Sequence, residues 1–264
     1  MKFRALLITI ILLVGISSLA YGQDTLTVMS YNIYHGEKYY NRGQSNLDEI
    51  AKLINRVKPD LVALQEVDSL TQRAASLNQN KTVNQVQKLG RLTGMHSYFG
   101  KAMDYDGGGY GEGILSTKPL ASHEIILPTP KGGEPRALVM VKYPLKNGDT
   151  LTFGGTHLCH QYEGNRVAQV KAINGFFEGE RNKIILAGDF NFTPQDNPYK
   201  FIEQRWLDAA VVANQVEPTI PFDNPSKRID YFFLSRHNWK ILEMKVLKEN
   251  SSDHMPLVMR IIVP

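Results

Sequence analysis

The chain has 264 residues, 42% of them hydrophobic and 21% charged, with a formal net charge of +4. That is enough chain for one substantial core or two small ones, and too little charge to advertise long-range capture of nucleic acid, although a local basic patch stays open. A single cysteine, Cys159, rules out an intrachain disulfide, so the fold must hold on its core alone.

At the N-terminus Lys2 and Arg4 precede an apolar run, Ala5 to Gly15, and then Ser17-Ser18-Leu19-Ala20-Tyr21-Gly22, with small residues at positions suited to cleavage. The pattern predicts a signal peptide over residues 1–22 rather than a membrane anchor, because spanning takes about 20 apolar residues. Cys159 lies too far away for a cysteine-linked lipid anchor. Cleavage near Gly22 implies export to the periplasm or the extracellular space. It removes Lys2 and Arg4, leaving 28 basic against 26 acidic residues, a net of +2. No repeat, low-complexity tract or long linker divides residues 23–264, so one domain is expected, monomeric and without a transmembrane segment.

Leu26 to Asn32 reads as a strand, and Leu47, Ile50, Ile54 and Val57 fall at helical spacing before Pro59. Asp60 to Gln65 reads as a second strand ending at Glu66, and Val83, Val86 and Leu89 mark another helix. Further strands are expected at Gly113–Ser116, Ala137–Tyr143, Leu151–Leu158, Lys183–Ala187, Ile229–Leu234 and Leu257–Val263. Val167, Val170, Ile173 or Asn174, and Phe177 predict a helix between two of these. Such alternation of short strands and amphipathic helices argues for an α/β protein. The loops Asp104–Gly109, Pro128–Pro135 and Glu217–Lys227, rich in Gly, Pro and Asp, are the expected cleft walls.

Several strands finish in a polar residue of catalytic type: Asn32, Glu66, His157, Asp189 with Asn191, Asp230, and the Asp253-His254 pair. Each alone has an ordinary reading as a cap, a turn former or a structural histidine. Their repetition at one edge of the proposed sheets shifts the balance. Side-chain alternation would point Asp189 and Asn191 the same way, where they could position a water and grip a phosphoryl oxygen.

Ser30-Tyr31-Asn32, Leu64-Gln65-Glu66, Gly155-Thr156-His157-Leu158, Gly188-Asp189-Phe190-Asn191, Arg228-Ile229-Asp230-Tyr231 and Ser252-Asp253-His254 occur in a telling order. In this the chain resembles the endonuclease/exonuclease/phosphatase superfamily, which includes DNase I, repair exonucleases, neutral sphingomyelinases and inositol-polyphosphate 5-phosphatases. The resemblance spans nearly all of residues 23–264. It implies a four-layer α/β/β/α sandwich, two mixed β-sheets face to face with helices outside. It further implies a metal site at Glu66, with Asn32 beside it and Asp253 on the metal side, suited to Mg²⁺ or Mn²⁺. By the same resemblance Asp189 and Asn191 orient the attacking water and the scissile phosphate, and His254 is the catalytic histidine held by Asp230. His157 is found in DNase I-like and sphingomyelinase-like members, where it can donate a proton to the leaving oxygen. Tyr110 falls where repair-type members carry an active-site tyrosine. Arg166 and Gln169, after the histidine motif, resemble secreted bacterial members and are expected on the exposed start of a helix.

Arg136, beside a Gly/Pro loop, is either a clamp for a phosphate or anionic headgroup or a surface arginine paired with Glu134. Phe222 is expected to pack on the scaffold rather than stack on substrate, and Trp206 to lie in the core. Cys159 is not read as a nucleophile, since no thiolate-stabilising surroundings are evident. The expected activity is metal-dependent hydrolysis of phosphate esters, diesters ahead of monoesters, on a small molecule or headgroup. The alternatives are a non-specific nuclease, a sphingomyelinase-like lipid phosphodiesterase and, in another class, a catalytically inactive binding module. Retention of every polar strand end argues against the last.

Overall fold

The computed structural model describes residues 23–264. The signal-peptide reading falls on residues 1–22, outside the described residues. Twelve strands form two mixed sheets. The first contains β1 (Thr25–Asn32), β2 (Leu61–Ser69), β3 (His96–Tyr105), β4 (Gly108–Ser116), β11 (Lys240–Val246) and β12 (Leu257–Ile262), in the order β11-β12-β1-β2-β4-β3. The second contains β5 (Ser122–Leu127), β6 (Arg136–Pro144), β7 (Thr150–His157), β8 (Lys183–Asp189), β9 (Trp206–Asp208) and β10 (Asp230–Ser235), in the order β5-β6-β7-β8-β10-β9. The β1–β2 and β7–β8 pairs are parallel, and the other pairs are antiparallel.

Alternation along each strand supplies two buried faces. Val28, Ala63 and Met259 of the first sheet meet Val139, Phe153, Ala187 and Phe232 of the second in one core. The opposite face of the first sheet, including Met29, Val62 and Leu64, packs on α1 (Leu47–Val57) and α3 (Gln85–Thr93). In the second sheet Met140, Ile184, Leu186 and Phe233 pack on α4 (Glu163–Phe176) and α5 (Asn197–Ile202). The short helices α2 (Gln72–Ser76) and α6 (Ala209–Val212) lie at sheet ends. The expected four-layer α/β/β/α sandwich is the observed architecture. Each fully buried Val, Leu, Ile or Phe contributes about 1.5–3 kcal/mol, so three clusters stabilise the fold without a cross-link. Cys159 is a buried free thiol. Among the described residues no helix is long and apolar enough to cross a membrane.

The expected strands are all present, but β3, β5, β9 and β11 were not expected. All four are edge strands, and β5 and β11 have mostly exposed side chains, so their sequences lack the alternation that marks a half-buried strand. The anticipated loop Asp104–Gly109 is mostly the tight β3–β4 hairpin. Gln169 is not on an exposed surface: it is fully buried, and its side-chain oxygen accepts from the Cys159 N–H at 2.9 Å. Arg166 donates to the Cys159 carbonyl at 2.9 Å and the His160 carbonyl at 3.1 Å. The first turns of α4 fold back onto the loop after His157, which buries Asn165 and Gln169 and half-buries Arg166, while Glu163 and Gly164 stay exposed. Trp206 is buried, as expected, with its indole N–H on Asn174.

Gly188, in the run Gly188-Asp189-Phe190-Asn191, has φ +150°, and a Cβ there would lie 1.9 Å from the Thr156 carbonyl oxygen. Only glycine allows β8 to pass β7 this closely. Gly188→Ala is expected to cost well over about 1 kcal/mol of stability, seen as a lowered Tm, because both the dihedral and the contact oppose it.

Candidate active site

Period-two alternation explains where the polar strand ends go. Val28 on β1, Phe153 on β7, Ala187 on β8 and Phe232 on β10 face the inter-sheet core. Counting along each strand in steps of two puts Asn32, His157, Asp189 and Asp230 on that same face, at one end of the sandwich. The register completes the alignment, since Asp189 is paired with His157 on one side and Asp230 on the other. Four strands from two sheets thus converge on one cleft.

Glu66 arrives by a different route. It does not end β2 but sits at a bulge between Leu64 and Val67, with φ +58°. The extra residue re-aims the Glu66 side chain, which strict alternation would send toward the helices. Asn191 is also off the strand pattern. β8 stops at Asp189, and Asn191 adopts φ +52° with its N–H donated to Asp189 Oδ1 at 2.9 Å. A turn, rather than strand alternation, brings Asp189 and Asn191 together.

Asp189 is the meeting point. Asn32 Nδ2 donates to Asp189 Oδ2 at 3.2 Å and to Glu66 Oε1 at 3.1 Å, while its Oδ1 accepts the Tyr34 N–H. Nitrogens of His157 and His254 lie 3.4 Å and 3.6 Å from Asp189 Oδ2. Burial raises the Asp189 carboxyl to about 7, against the pull of the His254 charge. His254 Nδ1 is 2.9 Å from Asp230 Oδ2, which also accepts the Thr219 hydroxyl at 2.6 Å. Burial alone would lower His254, but Asp230 and Asp189 outweigh it and lift the imidazole from 6.5 to about 10. It therefore carries its proton at neutral pH. Although Asp189, Asp230 and His254 have donor atoms within 4.8 Å of one another, a protonated imidazole between two carboxylates is already a satisfied charge set.

His157 is the opposite case. Asn191 Nδ2 lies 2.9 Å from its Nε2, and Arg136 lies 3.4 Å from its Nδ1. Burial, reinforced by the Arg136 charge, holds His157 well below the ordinary histidine range, as a neutral imidazole. Arg136 is not a surface arginine. It is 1% exposed, pairs with Glu134 at 2.8 Å, and approaches His160 at 3.0 Å. Tyr110 is buried on the same wall, where burial and the nearby Glu66 charge keep its phenol protonated.

Besides the Asn32 amide, Glu66 has one ion-pair partner among the described residues, His35 at 3.6 Å. Burial works against its charge, but His35 and Asn32 beside it hold the carboxyl below the usual range. Asp253, half-buried next to His254, is pushed up by burial and by the Glu66 charge. Glu66 and Asp253 offer oxygen donors of the hard type that a divalent cation takes, although the acidic and histidine groups whose donor atoms lie within 4.8 Å of one another among the described residues are Asp189, Asp230 and His254.

The cleft has a volume of about 320 Å³ and is lined by Glu66, Tyr110, Arg136, His157, Asp189, Asn191 and His254, with Arg73, Glu134, His160, Ile220 and Ile229 at its margin. Every site residue named from the sequence lies in or beside it. Those that sequence reasoning missed are Thr219, His35, Arg73 and His160, and Glu134 was named only as a partner for a surface Arg136. Thr219 stood in an anticipated wall loop, and His35 lies three residues past Asn32; nothing local distinguishes either from a turn residue. Phe222 is half-buried and packs edge-on to Tyr40 at the rim, 6.0 Å between ring centroids.

The profile of the Endonuclease/Exonuclease/phosphatase family matches residues 29–254. The chain belongs to this family. As a member of the endonuclease/exonuclease/phosphatase family it is a hydrolase of phosphoric esters, and divalent-metal dependence is general among such enzymes. A family protein from Bacteroides thetaiotaomicron superposes with a TM-score of 0.73 at 18% identity, covering 92% of this chain and 100% of the other. The mannosyl-6-phosphatase Bt3783 from Bacteroides thetaiotaomicron VPI-5482 gives 0.71 at 17% identity, covering 90% and 100%. The human Nocturnin catalytic domain with bound sulfate gives 0.68 at 20% identity, covering 90% and 97%. These likenesses carry the fold. No curated protein matches the chain significantly.

Arg136→Gln is expected to raise KM about 10–100-fold with a smaller change in kcat. The buried guanidinium is the cleft's deepest fixed cation, and a charged hydrogen bond contributes roughly 1.5–3 kcal/mol. Steady-state kinetics alongside a melting curve separate that loss from misfolding.

Proposed function

We propose that this family member is an exported, Mg²⁺-dependent phosphodiesterase acting on a small molecule or a headgroup-sized ester. The observation that carries the reading is the position of Asp189, hydrogen-bonded to the Asn32–Glu66 pair on one side and 3.6 Å from the Asp230-supported His254 on the other. Asp189 takes the proton of the attacking water, and Asn191 orients the phosphoryl group. Protonated His254 offsets the charge gained on the phosphoryl oxygens, while Arg136 and Tyr110 hold the ester on the far wall. Glu66 and Asp253, with Asn32 keeping Glu66 in place, would hold the ion, which when bound supplies positive charge to the phosphate. His157, neutral and anchored by Asn191, shapes the cleft floor. The compact cleft and the net charge of +2 on residues 23–264 support a small ester over a polynucleotide. The basic, apolar and small-residue pattern of residues 1–22 supports export.

A second reading, a phosphomonoesterase, is favoured by buried Arg136, a fixed positive charge in place for the extra charge of a monoester. The structural likeness to a mannosyl-6-phosphatase points the same way. A panel of bis-(p-nitrophenyl) phosphate, p-nitrophenyl phosphate, sugar phosphates, glycerophosphodiesters, sphingomyelin and plasmid DNA, each with Mg²⁺ and with EDTA, tests both. The expected result is EDTA-sensitive cleavage of small diesters. Cleavage of monoesters alone selects the second reading, and EDTA-resistant turnover removes the metal from both.

A further inference from the structure

Arg73 lines the cleft but has no part in the chemistry above. It stands in α2, just after β2, and its guanidinium is held end-on: Nε donates to Asp68 Oδ2 and Nη2 to Asp68 Oδ1, each at 2.8 Å. Asp68 is fully buried and is itself fixed. The Thr71 hydroxyl donates to its Oδ2 at 2.9 Å, and its N–H donates to Gln85 Oε1 at 2.8 Å. The guanidinium also lies over two rings, 4.5 Å from the centre of Tyr105 and 5.5 Å from that of Tyr110. The backbone N–H of Arg73 reaches Asp106 Oδ2 in the β3–β4 turn at 2.7 Å, and that of Gln72 reaches the Asp106 carbonyl at 2.9 Å. Strand end, helix and hairpin together fix where this charge sits and how its plane is turned.

The other edge of the guanidinium is left over. Of its five N–H donors, the end-on pair with Asp68 uses two. Nη1 makes a long contact of 3.4 Å to the Tyr105 hydroxyl. The Nη1–Nη2 edge is the fork that matches two oxygens of a carboxylate or phosphate. No protein carboxylate occupies it among the described residues, where Asp68 is the one ion-pair partner of Arg73, and the side chain is 27% exposed. Arg136 already supplies a guanidinium to the cleft, 3.4 Å from His157 and paired with Glu134. Tyr110 lies close enough to Arg136 and Arg73 to feel both charges, so the two arginines share one wall. With His254 and a metal on the opposite side, a single phosphoryl group has no call for the second arginine.

We propose that Arg73 is a specificity-determining residue that binds a second anionic group of the substrate, a carboxylate or a further phosphate, while Arg136 holds the phosphoryl group that is cleaved. The inference rests on the phosphate-ester reading above and deepens it, since it names the class of ester: one whose organic part carries an additional anion. A fork already oriented by Asp68 and by the two rings makes a two-point charged contact with little further loss of freedom.

The test compares p-nitrophenyl phosphodiesters whose second group is a meta- or para-carboxyphenyl ring with their carboxamide counterparts, which have nearly the same shape and lack the charge. The wild-type protein is expected to favour at least one carboxylate over its counterpart by about tenfold or more in kcat/KM, chiefly through KM. Arg73→Gln is expected to bring that ratio within about twofold of one, whatever it does to the common rate. Arg73→Lys keeps the charge but not the fork, and is expected to retain only part of the ratio. Because Arg73→Gln strands a buried carboxylate, the double variant Asp68→Asn with Arg73→Gln serves where the single one does not fold. A wild-type ratio near one for both isomers, or a ratio that survives loss of Arg73 in a folded protein, overturns the inference and leaves the phosphate-ester reading standing. Calorimetric binding of the same compounds in EDTA needs no turnover. A carboxylate preference in binding that disappears with Arg73, in a protein that cleaves none of these diesters, upholds the inference and overturns the diesterase reading.

Discussion

Asp189→Asn is expected to cut kcat by on the order of 10³–10⁴-fold while the protein stays folded. The substitution keeps shape and volume but removes the only carboxylate in the cleft that stands between the Asn32–Glu66 pair and His254. An amide cannot take a proton from water at neutral pH. Stability is expected to be unchanged or slightly raised, because Asp189 is buried among Glu66 and Asp230, whose charges together with burial raise its carboxyl. A residue that folding disfavours as an anion but the reaction needs as one is typical of a functional site. Stopped assays with excess substrate, run beside thermal melts, check both halves. Wild-type turnover in a folded Asp189→Asn protein would remove Asp189 from the reaction.

The second large effect concerns His254, and pH reads it most directly. His254→Gln is expected to lower kcat about 10²–10⁴-fold. In the wild-type protein the rate should rise with pH as Asp189 ionises, through about 7, and fall as His254 loses its proton, through about 10. The signs follow from the roles: Asp189 works as the anion, so protonation below its pKa abolishes activity, and His254 works as the cation, so deprotonation above its pKa does. These limbs belong to a coupled pair rather than to either residue alone. A bound divalent cation would draw the acid limb lower. Asp230→Asn removes the charge that supports His254 and also one that raises Asp189. Both limbs are therefore expected to move to lower pH, the alkaline one further because Asp230 also hydrogen-bonds the ring at 2.9 Å. An alkaline limb that stays in place in Asp230→Asn would show that His254 is not the group responsible.

Much of this architecture could be read from local pattern. The strands that end in Asn32, His157, Asp189 and Asp230 were visible as apolar runs stopping at a polar residue, and all four fall where alternation places them. Glu66 was visible by type but not by mechanism, because a bulge leaves no periodic trace and its φ of +58° is unusual for a glutamate. Asn191 was paired with Asp189 for a reason that failed: the strand ends two residues before Asn191, so alternation does not reach it. Gln169 was misplaced because a polar side chain early in a helix looks solvent-facing until another segment, here Cys159, is seen to need it. Arg136 stayed undecided from sequence, since only burial separates a cleft cation from a surface one.

By itself the sequence determined the order of the eight inner strands and of the three longest helices, the two faces of each, and the polar groups that end up at one edge. Those properties depend on side chains a few residues apart, where the periods of strand and helix are set. The tertiary structure alone decided the contacts between groups far apart in the chain, such as Asn32 Nδ2 on Asp189 Oδ2 at 3.2 Å across 157 residues. It also decided which histidine is charged. His157 and His254 are the same residue type at similar strand ends, yet one sits beside Arg136 and the other between Asp189 and Asp230. Desolvation and neighbouring charge set proton affinity, and both come from segments that only the packed sandwich brings within a few ångströms.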